Sequence, residues 1–155
     1  MNSSKTQLAL NSSLTIIHVF GVVVMVFSGL MGTCLITSAV FNDGATTAFV
    51  QGCLITFLSG LSLSILTWKS PKSVSKQAGF LLVALCWSLA SAFCTLPLLL
   101  YSPQLSFIDA YFEVISGLTT TGATVLSGLD HLPMSINLWR HELAWFGGKI
   151  GRAHV

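Results

Sequence analysis

The sequence predicts an all-α membrane protein with three transmembrane helices, a shorter helix that enters the membrane without crossing it, and the start of a further helix. Of its 155 residues, 53% are hydrophobic and only 8% are charged, whereas a soluble domain carries about 25% charged residues. Seven Lys and Arg against five Asp and Glu give a formal net charge of +2. This charge is too small and too scattered for a nucleic-acid surface, so we expect a lipid bilayer as the surroundings and no nucleic acid as partner.

The first two spans follow from uncharged stretches. Residues 14–41 contain His18 but no acidic residue, lysine or arginine, and these roughly 28 residues exceed the about 20 needed to cross the hydrocarbon core. The stretch is too long for the apolar core of a cleaved signal peptide, so we expect a retained anchor. A turn signal at residues 42–44 precedes the second uncharged span, residues 45–68.

The basic residues predict the orientation. Lys69, Lys72 and Lys76, with Pro71 between them, form the most concentrated basic segment of the chain. Short basic loops remain on the cytoplasmic side of the membrane. We therefore expect the N-terminus in the cytoplasm and Asp43 on the outer side.

The third span is predicted at residues 79–101, with Pro97 kinking or closing the helix because proline lacks a backbone donor. In the second span, small side chains recur at every fourth position, which indicates a face for close helix packing rather than chemistry. These small residues are Gly52, Thr56, Gly60 and Ser64.

A shorter helix is predicted at residues 107–116. Ser106 followed by Asp109 resembles a capping box, and Gly117 is a typical C-terminal stop. A helix of about ten residues is about 15 Å long, half of a hydrocarbon core of about 30 Å. Such a helix can enter the membrane but cannot cross it.

The residues after this helix predict extended backbone. The β-branched residues 119–121 disfavour helix, and Gly122 accepts a positive φ. Non-helical backbone at membrane depth is tolerated only where protein buries it or where it lines a watery cavity. The pattern therefore predicts a re-entrant pore half-helix with an extended filter segment; a β-branched turn between two spans is the alternative.

An extended filter segment has a specific chemistry. The backbone carbonyl oxygens of Thr120, Thr121, Gly122 and Ala123 can replace the hydration shell of a monovalent cation. The C-terminal end of the half-helix adds about half a negative charge. Calcium and magnesium prefer carboxylate cages, so we expect these four residues to bind potassium, with no organic cofactor.

Two further groups of charged residues are candidates. Asp109 and Glu113 lie four positions apart on one face of the short helix, where they either attract cations and support the filter or stabilise the helix locally. Arg140 lies in the largely apolar stretch 134–146. A charged side chain within a membrane pairs with another charged group, and the expected partner of Arg140 is a carboxylate in further repeats.

Several strings of the sequence resemble the first pore repeat of the TrkH-type potassium-uptake subunits, within the Trk/Ktr/HKT superfamily. The similarity covers roughly residues 14–148, and its most specific part is the threonine-rich string. The strings are FIDAYFE at 107–113, SGLTTTGAT at 116–124, GLD at 128–130, LP at 132–133 and WFGG at 145–148.

The resemblance implies a potassium-uptake protein of the bacterial inner membrane in which four non-identical repeats surround one ion path. Residues 1–76 would be an extra pair of transmembrane helices, and residues 77–148 the first pore repeat. The remaining pore repeats, a second copy in a dimer and a cytosolic nucleotide-binding regulatory subunit are the implied partners. No enzymatic constellation of nucleophile, base and orienting group is recognisable in the sequence. A small homotetrameric cation channel and a membrane scaffold subunit without an ion path are the alternatives.

The last seven residues depart from the family pattern. The family continues after Gly148 with another glycine and a long aliphatic run, whereas KIGRAHV follows here. We therefore expect a truncated second helix and hypothesise that residues 149–155 are a non-native tail, since codons for these residues match the start of a common sequencing adapter. Resequencing the locus tests this hypothesis, and a genomic stop codon after Val155 contradicts it.

Overall fold

The computed structural model describes the backbone of residues 2–68 and 76–152, and the side chains of residues 13–68 and 79–149. All regular secondary structure within these residues is helical, which confirms the predicted all-α class. In chain order the elements are α1 (Asn2–Phe41), α2 (Thr46–Leu66), α3 (Lys76–Leu85), a π-helical turn (Cys86–Ala90), α4 (Ser91–Cys94), α5 (Leu96–Tyr101), α6 (Phe107–Leu118), a 3-10 turn (Leu129–His131) and α7 (Met134–Arg152).

Among the residues that the structure describes, three helical segments are long and apolar enough to cross a membrane: Ser13–Phe41, Thr46–Leu66 and Gly79–Tyr101. They agree with the three predicted spans to within two residues at each end. The predicted basic loop at Lys69 and Lys72 lies outside the described residues.

The third span is helical but irregular. A π-helical turn interrupts it, and Pro97 occupies the first turn of α5. A proline in the first helical turn loses no hydrogen bond, so the helix resumes and continues to Tyr101. Pro97 therefore marks an irregularity within the span and does not end it.

Helices α1 and α2 approach each other closely at Gly21 and Gly60. A Cβ atom added to Gly60 would lie 2.6 Å from the carbonyl oxygen of Gly21, and one added to Gly21 would lie 2.8 Å from the carbonyl oxygen of Gly60. At Gly52 an added Cβ would lie 3.3 Å from the Pro97 ring. The small-residue face therefore serves helix packing, as predicted. Its four members, Gly52, Thr56, Gly60 and Ser64, are all buried.

Helices α6 and α7 pack onto the three spans around a shared apolar core. Trp139 of α7 is fully buried, and its indole nitrogen donates a hydrogen bond to the carbonyl oxygen of Cys94 at 3.1 Å. Thr33 of α1 donates to Glu142 of α7 at 2.6 Å. The short helix and the loop after it are thus held on a frame of long helices. The largest fully buried side chains of the described part include Trp139, Phe49, Met31, Ile136 and Leu143.

The predicted stop at Gly117 is wrong by two residues, since α6 continues through Gly117 to Leu118. A Cβ added at Gly117 would lie 3.3 Å from the Cβ of Leu143 in α7. This glycine serves close packing between α6 and α7. The positive φ that ends a helix occurs instead at Thr120, where φ is +59°.

Candidate functional site

The N-cap that the capping-box-like pattern predicts at the start of α6 is confirmed at Ser106. The hydroxyl of Ser106 accepts a hydrogen bond from the backbone N–H of Asp109 at 3.1 Å and donates one to the Asp109 carboxylate at 2.7 Å. Asp109 therefore stabilises the first turn of the helix. It does not share the environment of Glu113, although both residues lie on one helix.

The backbone after α6 differs from the extended conformation expected at its first two residues. Thr119 has φ −79° and ψ −1°, and Thr120 has φ +59°. The N–H of Thr120 donates to the carbonyl oxygen of Gly117 at 2.9 Å, so the chain first turns back across the end of α6. Helix ends leave carbonyl groups without partners, and this turn satisfies one of them. The left-handed conformation of a β-branched residue costs about 1–3 kcal/mol.

Beyond this turn, residues 121–128 contain no regular structure. The predicted positive φ at Gly122 is confirmed, at +75°. A half-helix followed by a filter segment requires a non-helical stretch after α6. Such a stretch is present between α6 and the 3-10 turn. Placement of the segment inside the membrane stays a prediction.

Ser116 connects the end of α6 to three of the four predicted site residues. Its carbonyl oxygen accepts hydrogen bonds from the N–H groups of Thr121 at 2.9 Å and Gly122 at 3.4 Å. Its hydroxyl donates to the carbonyl oxygen of Ala123 at 2.6 Å. Ser116 is buried, and the sequence alone indicated no role for it beyond its place in the threonine-rich string.

These hydrogen bonds orient the neighbouring carbonyl groups. In a trans peptide the C=O group points opposite to the N–H group of the next residue. Because the N–H groups of Thr121 and Gly122 point toward Ser116, the carbonyl oxygens of Thr120 and Thr121 point away from the end of α6. The carbonyl oxygen of Ala123 points toward α6, where one of its two lone pairs is occupied.

The four predicted residues lie together in an exposed loop. Three of them, Thr120, Gly122 and Ala123, line a cavity of about 300 Å³ between this loop, α6 and α7. Glu113 and Arg140 line the same cavity. The structure thus brings the candidate filter residues and an ion pair to one place.

Glu113 is the charged residue that contacts the loop. It is 5% exposed, and its carboxylate accepts hydrogen bonds from the Thr124 hydroxyl at 2.9 Å and from the Val125 N–H at 3.2 Å. Arg140 Nε donates to the same carboxylate at 2.6 Å. Arg140 thus has a carboxylate partner within this chain, and an ion pair with a carboxylate in further repeats stays a prediction. The prediction did not pair the two residues because they are 27 positions apart.

Helix α7 is held at its start by the loop between α1 and α2. The Asp43 carboxylate accepts a hydrogen bond from the Ser135 N–H in the first turn of α7 at 2.9 Å. Partial burial acts to raise the pKa of Asp43. Hydrogen bonds from the Ser38 hydroxyl and from the Ser135 and Ala45 N–H groups outweigh that effect and hold this pKa below its ordinary value.

Helix α7 also contacts the end of α6 directly. A Cβ added to Gly147 would overlap the carbonyl oxygen of Leu118, so glycine is required for this approach. Ring contact between Phe146 and Phe27 of α1, with centroids 5.1 Å apart, lies beside it. The sequence singled out residues 145–148 through resemblance alone, and the geometry supplies a physical reason for Gly147.

Three apolar spans combined with a capped short helix and a hydrogen-bonded, non-helical loop define a polytopic membrane protein. Comparison with known families matches residues 45–152 to TrkH, described as a cation transport protein. The chain belongs to this family, which confirms the resemblance in its sequence. The family is one of transporters and not a class of enzymes.

Individual proteins of this family are also similar to the chain. The chain is 40% identical over 138 residues to the Trk system potassium uptake protein TrkH of Escherichia coli K12, a match that covers 86% of this chain and 28% of that protein. It is 35% identical over 133 residues to the Trk system potassium uptake protein TrkI of Halomonas elongata, covering 86% and 27%. The chain therefore spans somewhat more than a quarter of the length of these relatives.

A solved structure also matches. The crystal structure of the potassium transporter TrkH from Vibrio parahaemolyticus is similar with a TM-score of 0.81 and 35% sequence identity. The match covers 87% of this chain and 29% of that one. The helical arrangement described above is thus similar to that of part of that transporter.

Proposed function

We propose that this chain forms one side of the ion path in a potassium-uptake protein of the bacterial inner membrane. The observation that carries the proposal is the loop after α6, in which hydrogen bonds to Ser116 turn the carbonyl oxygens of Thr120 and Thr121 away from the helix. Such oxygens replace the water molecules around a potassium ion. The relatives described as potassium uptake proteins support the same ion as substrate.

The proposed ligands are the backbone carbonyl oxygens of Thr120, Thr121, Gly122 and Ala123. Ala123 contributes the lone pair that the Ser116 hydroxyl leaves free. The C-terminal end of α6 points toward this loop and adds its partial negative charge. With 12 residues, α6 is about 18 Å long, which suits a half-helix that enters the bilayer without crossing it.

The domain organisation, the orientation and the partners that we propose are those that the family resemblance implies. Residues 1–76 are the extra helix pair and residues 77–148 the first pore repeat. The N-terminus lies in the cytoplasm, further repeats complete the ring around the ion, and the protein is a dimer with a cytosolic nucleotide-binding regulatory subunit. Because one side cannot surround an ion, the 155-residue chain alone does not conduct.

A chimera tests the function. Residues 14–148 replace the matching segment of the Escherichia coli relative, and the chimera is expressed in cells that lack their own potassium-uptake systems. We expect restored growth at low potassium and restored uptake of radioactive rubidium. Absence of both in a chimera that reaches the membrane at normal abundance would contradict the proposal.

Gly122→Ala then tests the filter, with Gly128→Ala as the matched control. Both glycines have positive φ, +75° and +67°, so both substitutions introduce similar backbone strain. Only Gly122 belongs to the proposed ligands. We expect Gly122→Ala to lower the preference for potassium over sodium by about tenfold, which corresponds to about 1.4 kcal/mol, and Gly128→Ala to preserve it.

The alternatives have their own outcomes. If the 155-residue chain alone restores uptake and cross-links as a tetramer, the homotetrameric channel is correct. If Gly122→Ala leaves the ion preference of an active chimera unchanged, the chain is a scaffold beside an ion path formed elsewhere.

A further inference from the structure

We propose that the ion pair between Glu113 and Arg140 positions the end of the candidate filter segment and thereby sets its ion preference. Both are positioning residues, because neither contributes one of the proposed carbonyl ligands. This inference rests on the proposed function of the loop at residues 120–123.

The carboxylate of Glu113 joins two elements and the loop between them. Its oxygens accept from the hydroxyl of Thr124, the N–H of Val125 and the Nε of Arg140 at distances between 2.6 and 3.2 Å. Charge-assisted hydrogen bonds are shorter and about twice as strong as neutral ones. The charged pair therefore holds the loop more firmly than a neutral side chain in the same place would.

Burial makes the pair interdependent. Glu113 has 3% and Arg140 18% of its side chain exposed. A buried carboxylate that loses its cationic partner keeps its desolvation cost without compensation. Arg140 thus holds the Glu113 carboxylate in one orientation, and it ties that orientation to α7.

Glu113 and Ser116 form two anchors on the same face of α6, since residues three apart on a helix are neighbours. Ser116 holds Thr121, Gly122 and Ala123, and Glu113 holds the two residues that follow. The N–H of Val125 points toward Glu113, so the carbonyl of Thr124 points away from it. The segment is thereby fixed at both ends.

The backbone strain at Thr120 supports a role for the hydrogen bonds that hold the loop to Ser116 and Glu113. A β-branched residue at φ +59° persists only where the surroundings determine the backbone from several sides. Removal of one anchor would let the carbonyl oxygens relax. A filter with relaxed carbonyl positions discriminates less well between ions of different size.

The first experiment uses the chimera defined above. Glu113→Gln removes the charge and keeps the shape, and Asp109→Asn makes the same chemical change one turn earlier on α6. At equal membrane abundance we expect Glu113→Gln to reduce the ratio of potassium to sodium uptake by about tenfold, or about 1.4 kcal/mol. Asp109→Asn leaves the ratio unchanged, and Arg140→Lys retains more of it than Arg140→Gln.

A double variant tests the pairing. If the two residues act through one interaction, Glu113→Gln combined with Arg140→Gln changes the ratio by less than the product of the two single changes. Independent effects that multiply would overturn the role of the pair, and an unchanged ratio in Glu113→Gln would overturn the inference while leaving the proposed function intact.

The second experiment does not depend on transport. Hydrogen exchange of the purified 155-residue chain in detergent reports the Val125 amide directly. We expect exchange to accelerate at Val125 in Glu113→Gln by about tenfold, the change that corresponds to about 1.4 kcal/mol, but not in Asp109→Asn. This acceleration together with a chimera that carries no potassium would reject the proposed function and retain the anchor. Equal exchange in all variants would reject the anchor.

Discussion

Single atoms determine how the short helix ends. The hydroxyl and carbonyl oxygen of Ser116 hold three residues of the following loop. The missing Cβ of Gly147 lets α7 approach the carbonyl oxygen of Leu118. Because both contacts lie at the last turn of α6, a change of one atom at either position alters where the loop begins.

Gly147→Ala is expected to destabilise the protein. Its Cβ would overlap the carbonyl oxygen of Leu118. That oxygen is backbone and cannot rotate away, so α6 and α7 must separate. Overpacking of this kind costs about 1–3 kcal/mol. Thermal unfolding of the purified chain in detergent, followed by circular dichroism, measures the loss.

The matched control is Gly148→Ala. An added Cβ at Gly148 would lie 3.5 Å from the Cγ2 of Thr120, an ordinary contact, and alanine is favoured over glycine inside a helix by about 1 kcal/mol. We expect an unfolding midpoint equal to or above that of the unchanged chain. Equal midpoints for both substitutions would show that the approach at Gly147 is not constrained.

Among the elements, α7 connects the spans to the candidate site. The loop between α1 and α2 binds its first turn through Asp43, and Arg140 and Gly147 contact α6 further along. No acidic residue occurs in the first turn of α7 itself. A negative charge at a helix N-terminus is stabilising, and here a distant part of the chain supplies it.

Asp43→Asn should therefore destabilise the protein in a pH-dependent way. The pKa of Asp43 is lowered in the folded state, so its contribution is complete above the ordinary carboxyl pKa of about 4 and disappears as the pH falls through the lowered value. At neutral pH and low salt we expect a loss of about 0.3–1 kcal/mol. Denaturant unfolding between acidic and neutral pH measures it.

The difference between Asp43→Asn and the unchanged chain should shrink toward acidic pH. Asp130→Asn is the control, because Asp130 is exposed in the 3-10 turn. A difference at Asp43 that is constant with pH would mean that the charge plays no part. A loss of equal size at Asp130 would indicate a general effect of net charge.

At the scale of the whole molecule, the three spans expose large apolar side chains. Ile36, Leu66 and Phe80 are between 65% and 81% exposed, far more than a soluble protein of this size would tolerate in one region. A lipid bilayer or another apolar protein surface is the surrounding that such side chains require. The direction in which the chain crosses the bilayer then depends on its basic residues.

Labelling of single cysteines tests that direction. Asn42→Cys places a thiol at an exposed position in the loop between α1 and α2, and Lys72→Cys places one in the basic loop. A maleimide that cannot cross membranes should react with Asn42→Cys in intact spheroplasts, and with Lys72→Cys only after permeabilisation. The native cysteines lie within the spans, and the unchanged chain measures their background. The reverse pattern would place the N-terminus outside.

The sequence by itself determined the class of protein and the positions of its helices. Uncharged stretches longer than a bilayer, the capping box at Ser106 and the glycine at position 122 are local signals, because each depends on a few neighbouring residues. The resemblance of residues 107–148 added the family. The end of the short helix was less well predicted. A glycine such as Gly117 can either stop a helix or allow close packing inside it, and only the packed structure distinguishes the two roles.

The tertiary structure decided the contacts between distant residues. It paired Arg140 with Glu113, placed Asp43 at the start of α7, and turned Thr120 into a left-handed conformation that its side chain disfavours. Local preferences predict none of these, since each depends on hydrogen bonds between elements that meet only once the helices have packed. Helices form from neighbouring residues, whereas the shape of the loop between them depends on every element that packs against it.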